Sequence, residues 1–257
     1  MMIRIKMKNS RISIFVVSLL LLASSISADA APKYGPAGTP HAIPLSISNE
    51  FFRKPKNPQP QFWALISFYV PQGNHASCSV ASAVMVLNAA RAHMAKTAEE
   101  KVISEPELLD KIHDPQWKLR VSPGGEKGIY GLNLDLFGDL MKKALGAYSL
   151  SPAKVATYHV VDTSSETKAS VRKSLKGLSM NHFIVANFDQ KAFTNDTQVG
   201  HFSPVAAYDA SKDRVLILDS DREYYEPYWV SVDDFVKGMA TQDHQIKKSR
   251  GYAVIEL

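Results

Sequence analysis

Residues 78 to about 94 constrain the fold most. Val80, Ala81, Val84, Val86, Leu87 and Ala90 put apolar side chains on nearly every face of one helical stretch. A helix without a polar face cannot lie on a surface, so this one is expected to be central and buried. Its first residue is Cys78, the one cysteine among 257 residues, and the loop Pro71-Gln72-Gly73-Asn74 leads into it. A single cysteine excludes an intramolecular disulfide and cysteine-built zinc sites. Most free cysteines are buried and inert, packing as small hydrophobes. This one stands at a helix start, where aligned peptide dipoles and free N–H groups stabilise a thiolate.

The elements around that helix fall in a definite order. Residues 31–60 are rich in Pro, Lys and Asn and read as an extended lead-in. Residues 61–70 are apolar, a short helix or strand entering the loop. Ser104 and Glu107 form a capping box for a helix through about residue 112. Residues 123–128 are a loop. Asn133 opens a helix with Leu134, Phe137, Leu140, Met141 and Leu145 at core spacing, ended by Gly146. Residues 154–161 read as a strand, and Thr163 or Ser164 caps a polar helix to about residue 178. Strands follow at 182–188, 201–208 and 214–219, with a turn at 210–213. Ser231 caps a helix to about residue 239, and residues 252–256 form a last strand. Helices first and an antiparallel sheet later is the α+β order, and it matches the layout of papain-like folds.

The first thirty residues are expected to stand outside that fold. Arg4, Lys6, Lys8 and Arg11 precede an apolar run from Ile12 to Ala23, and Ala28-Asp29-Ala30 offers a cleavage site. This is the pattern of a signal peptide, and the run is short for a membrane span. Residues 1–30 are therefore read as a leader and 31–257 as the catalytic domain, exported to the periplasm or secreted, with no membrane attachment after cleavage. The formal charge of +5 falls to +2 without the four bases and one acid of the leader. So small an excess, with no dense basic run, gives no reason to expect a nucleic-acid partner. Oligomeric state is left open, with a homodimer as one option.

His201 begins one strand of a hairpin and Asp219 ends the next, so antiparallel pairing puts both at one end of the sheet. Asp219 can then hold one ring nitrogen of His201 and leave the other for Cys78. The Gln72 amide and the Cys78 backbone N–H can form an oxyanion hole. Together these residues describe a cysteine nucleophile for acyl transfer. The other histidines show no metal-ligand spacing, so no protein metal site and no intrinsic cofactor are expected. Two alternatives remain: a papain-like peptidase or amidase acting on another exported peptide, and a non-catalytic peptide binder.

The blocks Gly200-His201-Phe202-Ser203-Pro204, Leu216-Ile217-Leu218-Asp219 and Arg222 with Pro227-Tyr228-Trp229-Val230 resemble the signature of phytochelatin synthases. So does Gln72 with Cys78-Ser79-Val80-Ala81-Ser82 and Val86-Leu87-Asn88-Ala89. The resemblance covers roughly residues 45–257. It implies a papain-like fold and action on glutathione and related γ-glutamyl peptides. Cys78 is then the nucleophile, His201 and Asp219 its partners, and Gln72 the oxyanion donor. Asp243 and Arg250 match positions that hold the γ-glutamyl amine and carboxylate, a pairing that suits an ammonium and a guanidinium fork. Arg222 and Lys191 are implied as further substrate contacts. Cd or Zn would enter as glutathione thiolate complexes, in a response to heavy metals. Two positions depart from the pattern: Ser79 replaces the usual Gly after the nucleophile, and Lys191 a common Arg. The Cys-rich C-terminal region of the plant enzymes has no counterpart here, as in the short prokaryotic members, which resemble glutathione hydrolases as much as synthases.

Overall fold

The computed structural model describes residues 33–34, 42–55, 57–150, 152–194 and 198–257. The leader expected at residues 1–30 lies outside them. Described residues form β1 (Ala42–Pro44), α1 (Pro60–Ser67), α2 (Cys78–Ala90), α3 (Glu105–Lys111), α4 (Pro115–Arg120) and α5 (Leu134–Ala147). There follow β2 (Lys154–His159), α6 (Ser165–Lys176), β3 (His182–Asp189), β4 (Gly200–Asp209), β5 (Arg214–Ile217), β6 (Tyr228–Ser231), α7 (Val232–Met239) and β7 (Gly251–Glu256). The fold is α+β, as the element order predicts.

Helix α2 is buried from Cys78 to Ala89. Its polar side chains survive there because each has a partner. Ser79 Oγ accepts from the Trp117 indole N–H at 3.1 Å, and Ser82 Oγ donates to the Phe202 carbonyl at 3.0 Å. Asn88 donates to the Ile103 carbonyl at 2.9 Å and accepts from the Ile103 N–H at 3.0 Å. The helix ends at Ala90 rather than near Met94, because the chain becomes exposed over residues 93–94 and loses the packing that sustains α2.

All strands pair antiparallel in one sheet of order β1-β6-β5-β4-β3-β7-β2. Alternation along β3 sends Phe183 and Val185 into one core and Ile184, Ala186 and Phe188 into another. The first core packs α1 to α5 on one face of the sheet; the second packs α6 and α7 on the other. Inner strands covered on both faces read as continuous apolar runs, which is why β3, β4 and β5 were visible in the sequence.

Three elements depart from the sequence reading. The lead-in is not merely extended: residues 42–44 pair with β6 as an edge strand, where a proline is tolerated. Residues 228–231, read only as part of a motif, are that partner strand. Residues 115–120 form a helix whose signals were present: the Asp114 side chain accepts from the Gln116 and Trp117 N–H groups, and Pro115 occupies the first turn, as helix starts favour. The 61–70 ambiguity resolves as helix α1.

Candidate active site

Two connections bring the site together. Strands β4 and β5 run antiparallel, so the start of β4 and the segment after β5 meet at one end of the sheet. There His201 Nε2 donates to Asp219 Oδ1 at 2.7 Å. The second connection is between loop and sheet: the Gln72 N–H donates to the Ser220 carbonyl at 2.8 Å, and Ser220 Oγ donates to Gln72 Oε1 at 3.3 Å. The residue after Asp219 thus anchors the loop that leads to Cys78. With its oxygen held by Ser220, the Gln72 amide keeps its NH2 group as a donor.

Asp219 is fully buried and densely hydrogen-bonded. Besides His201, its carboxylate accepts from the Tyr228 hydroxyl at 2.5 Å, the Gln190 amide at 3.1 Å and the Asp221 N–H at 2.9 Å. Burial opposes its ionisation, but the His201 charge and these hydrogen bonds outweigh burial and hold its pKa below the ordinary value of 3.8. For His201 burial opposes the imidazolium. The Asp219 charge, the Asp219 hydrogen bond and Cys78 beside the ring overcome it, raising its pKa well above 6.5. Because Nε2 is committed to Asp219, Nδ1 is the nitrogen left for the thiol. The Phe188 ring packs edge-on against His201 at 5.6 Å and limits its rotation.

Around Cys78 the loop is fixed on both sides. Glu105, at the start of α3, accepts from the Gly73 N–H at 2.9 Å. Asn74 donates to the Val121 carbonyl at 2.9 Å and accepts from the Ala76 N–H at 2.8 Å. Cys78 opens α2 with its N–H groups directed at the loop end, where developing negative charge is favoured.

A cavity of about 230 Å³ is lined by Cys78, Asn187, Gly200, Phe202, Asp243 and Arg250, among others. Asp243 and Arg250 are both buried, and Arg250 Nη1 donates to Thr241 Oγ1 at 3.0 Å and the Gln242 carbonyl at 2.6 Å. Gly200 matters sterically, since a Cβ there would stand 2.9 Å from Arg250 Nη2. Sequence and structure therefore bring together Cys78, His201, Asp219, Asp243 and Arg250. Gln72 and Arg222 instead line an adjoining cavity of about 640 Å³ with His75 and Asp221. The Arg222 guanidinium stacks 4.3 Å over the Tyr69 ring. Lys191 is exposed on the turn after β3 and is not among the residues lining either cavity. Sequence reasoning missed Tyr228 and Gln190 as partners of Asp219, and Asn187. Asn187 carried a signal, a polar residue at an inward-facing position of an apolar strand. Among the described residues no group of three or more His, Cys, Asp or Glu side chains could hold a metal ion, and no helix is long and apolar enough to cross a membrane.

A family model described as phytochelatin synthase matches residues 46–252, which include every residue of this site. The chain belongs to the phytochelatin synthase family. Among its curated relatives, glutathione gamma-glutamylcysteinyltransferase 1 of Lotus japonicus is 29% identical over 203 residues, 76% of this chain and 35% of that protein. The Arabidopsis thaliana protein of the same name is 29% identical over 203 residues, 76% of this chain and 36% of its own length. Glutathione gamma-glutamylcysteinyltransferase of Schizosaccharomyces pombe is 34% identical over 76 residues, 30% of this chain and 18% of that protein. The chain thus spans about a third of the length of the plant relatives.

Proposed function

We propose that this protein is a cysteine acyltransferase that takes γ-glutamylcysteine from glutathione. The observation that carries the reading is one buried constellation: His201, hydrogen-bonded to Asp219, lies against Cys78 at a helix N-terminus. The cavity that Cys78 lines also holds a buried carboxylate and guanidinium, Asp243 and Arg250. These two suit the amine and carboxylate of a γ-glutamyl group.

The Cys78 thiolate attacks the carbonyl carbon of the Cys–Gly amide. The Gln72 NH2 and the Cys78 N–H stabilise the oxyanion. His201 protonates the departing glycine amine, and the C–N bond breaks, leaving a γ-glutamylcysteinyl thioester on Cys78. His201 then takes a proton from water or from the amine of a second glutathione. Attack on the thioester by water gives γ-glutamylcysteine; attack by the amine gives a lengthened peptide. Cd or Zn enters as a thiolate complex of the substrate, which links the activity to heavy metals. The basic and apolar run in residues 1–30 supports export, so the product would form outside the cytosol.

Incubation of residues 31–257 with glutathione, with and without Cd²⁺, followed by mass spectrometry of the products, tests this reading. Glycine release with γ-glutamylcysteine or lengthened peptides is expected. Intact glutathione under both conditions would overturn it.

A further inference from the structure

His159 ends β2, paired with Gly251 at the start of β7. Both of its ring nitrogens are engaged. Nδ1 is hydrogen-bonded to the Ser249 carbonyl oxygen, and Nε2 lies 2.9 Å from Oδ1 of Asp135, in the first turn of α5. A carbonyl oxygen only accepts, and so does an ionised carboxylate. Asp135 is ionised: the Lys248 ammonium donates to its other oxygen at 2.7 Å and, with His159, holds its pKa below 3.8. Each ring nitrogen must therefore donate. A neutral imidazole carries a single N–H, so only the imidazolium fills both places. Helix α5 presents Asp135 to the ring, and the segment before β7 presents Lys248, with Arg250 directed to the cavity. Strand β7 meets it with Gly251, which has no side chain.

What the ring grips is the turn that carries Asp243 and Arg250. Ser249 directly precedes Arg250, whose carbonyl accepts from the Val160 N–H at 2.9 Å. The Lys248 carbonyl accepts from the Asp243 N–H at 2.7 Å, and Gln242 bridges to Ser249, so residues 242–250 form one closed turn. Both Asp243 and Arg250 line the cavity with Cys78. We propose that His159 is a positioning residue: as an imidazolium it clasps Asp135 and the Ser249 carbonyl, and so holds Asp243 and Arg250 in place for the γ-glutamyl group. This rests on the glutathione reading above and adds control of substrate affinity by pH. The sign follows from the donors. While the ring keeps both protons, both bonds form. As pH rises and one proton leaves, either Ser249 or Asp135 loses its donor and the turn loosens. The loss falls on binding, because the hydrogen bonds of His159 go to that turn and to α5.

Two measurements on the protein test this. The first is nitrogen-15 NMR of the histidine rings, with His159 assigned by the loss of its signals in H159Q. Both ring nitrogens should carry a proton at about pH 6, and one should give it up as pH rises. In D135N that change should come at lower pH, since the carboxylate that favours the imidazolium is gone. The second is glutathione cleavage. H159Q keeps one donor and no charge, so its KM should stand about 3- to 10-fold above wild type at about pH 6, with kcat within about twofold. The ratio should shrink toward one as pH rises and the wild-type ring loses its own proton. D135N, changed at a partly exposed helix start, serves the same comparison if H159Q does not fold. A ring with a single proton at about pH 6 overturns the assignment alone. So does a KM ratio that does not vary with pH, which would leave His159 a purely structural residue. Wild-type protein that cleaves no glutathione overturns the glutathione reading and this assignment with it.

Discussion

Asp219 shows how one buried carboxylate can organise a site. A charge without water around it is costly, and the structure meets that cost with His201, Tyr228, Gln190 and the Asp221 N–H. The two shifts act in opposite directions with pH. His201, raised above 6.5, contributes stability that is complete below that value and is lost as pH rises through its folded pKa. Asp219, lowered below 3.8, contributes stability present above that value and lost as pH falls through its folded pKa. The pair is intact between these limits. In D219N the charge beside His201 is gone and the ring loses its preferred tautomer. The expected result is a drop in kcat of roughly 10²- to 10⁴-fold, and an alkaline limb of kcat/KM displaced to lower pH. A pH–rate profile checks both; an unmoved alkaline limb would separate His201 from Asp219.

Helix α2 carries the proposed nucleophile, and its burial depends on neighbours as much as on its own apolar residues. Ser79 is the clearest case. It stands where the family pattern has glycine, fully buried, and its hydroxyl is the acceptor for the Trp117 indole of α4. Returning it to glycine leaves that N–H unpaired. S79G should lower stability by about 1–3 kcal/mol, measured by urea unfolding, with little change in kcat at low temperature. No loss of stability would mean that the indole finds another partner. Helix α2 was legible in the sequence because its apolarity has no period to confuse. The 115–120 helix was not, being short enough that its Asp114 cap and Pro115 competed with a loop reading. Edge strands 42–44 and 228–231 were hidden for a different reason: three or four residues show no usable alternation, and only their mutual pairing makes them strands. Cys78, His201 and Asp219 could be joined from sequence because hairpin geometry dictates which strand ends coincide.

Across the whole molecule, the chain's two halves divide the chemistry. The helical half supplies the thiol and the loop bearing Gln72, both fixed by α2 and α3. The sheet half supplies His201 and Asp219 from one hairpin and Asp243 and Arg250 from the approach to β7. Activity therefore needs both halves packed together, and the Ser220–Gln72 contacts are where loop and sheet join. Between them, in the proposed reaction, Cys78 carries the acyl group. Brief reaction with glutathione, acid quenching and mass spectrometry of the intact and digested protein test it directly. Wild-type protein should gain one γ-glutamylcysteinyl group on the peptide containing Cys78, and C78S should gain none and release no glycine. Glycine release that persists in C78S, or an acyl group attached elsewhere, would contradict the account.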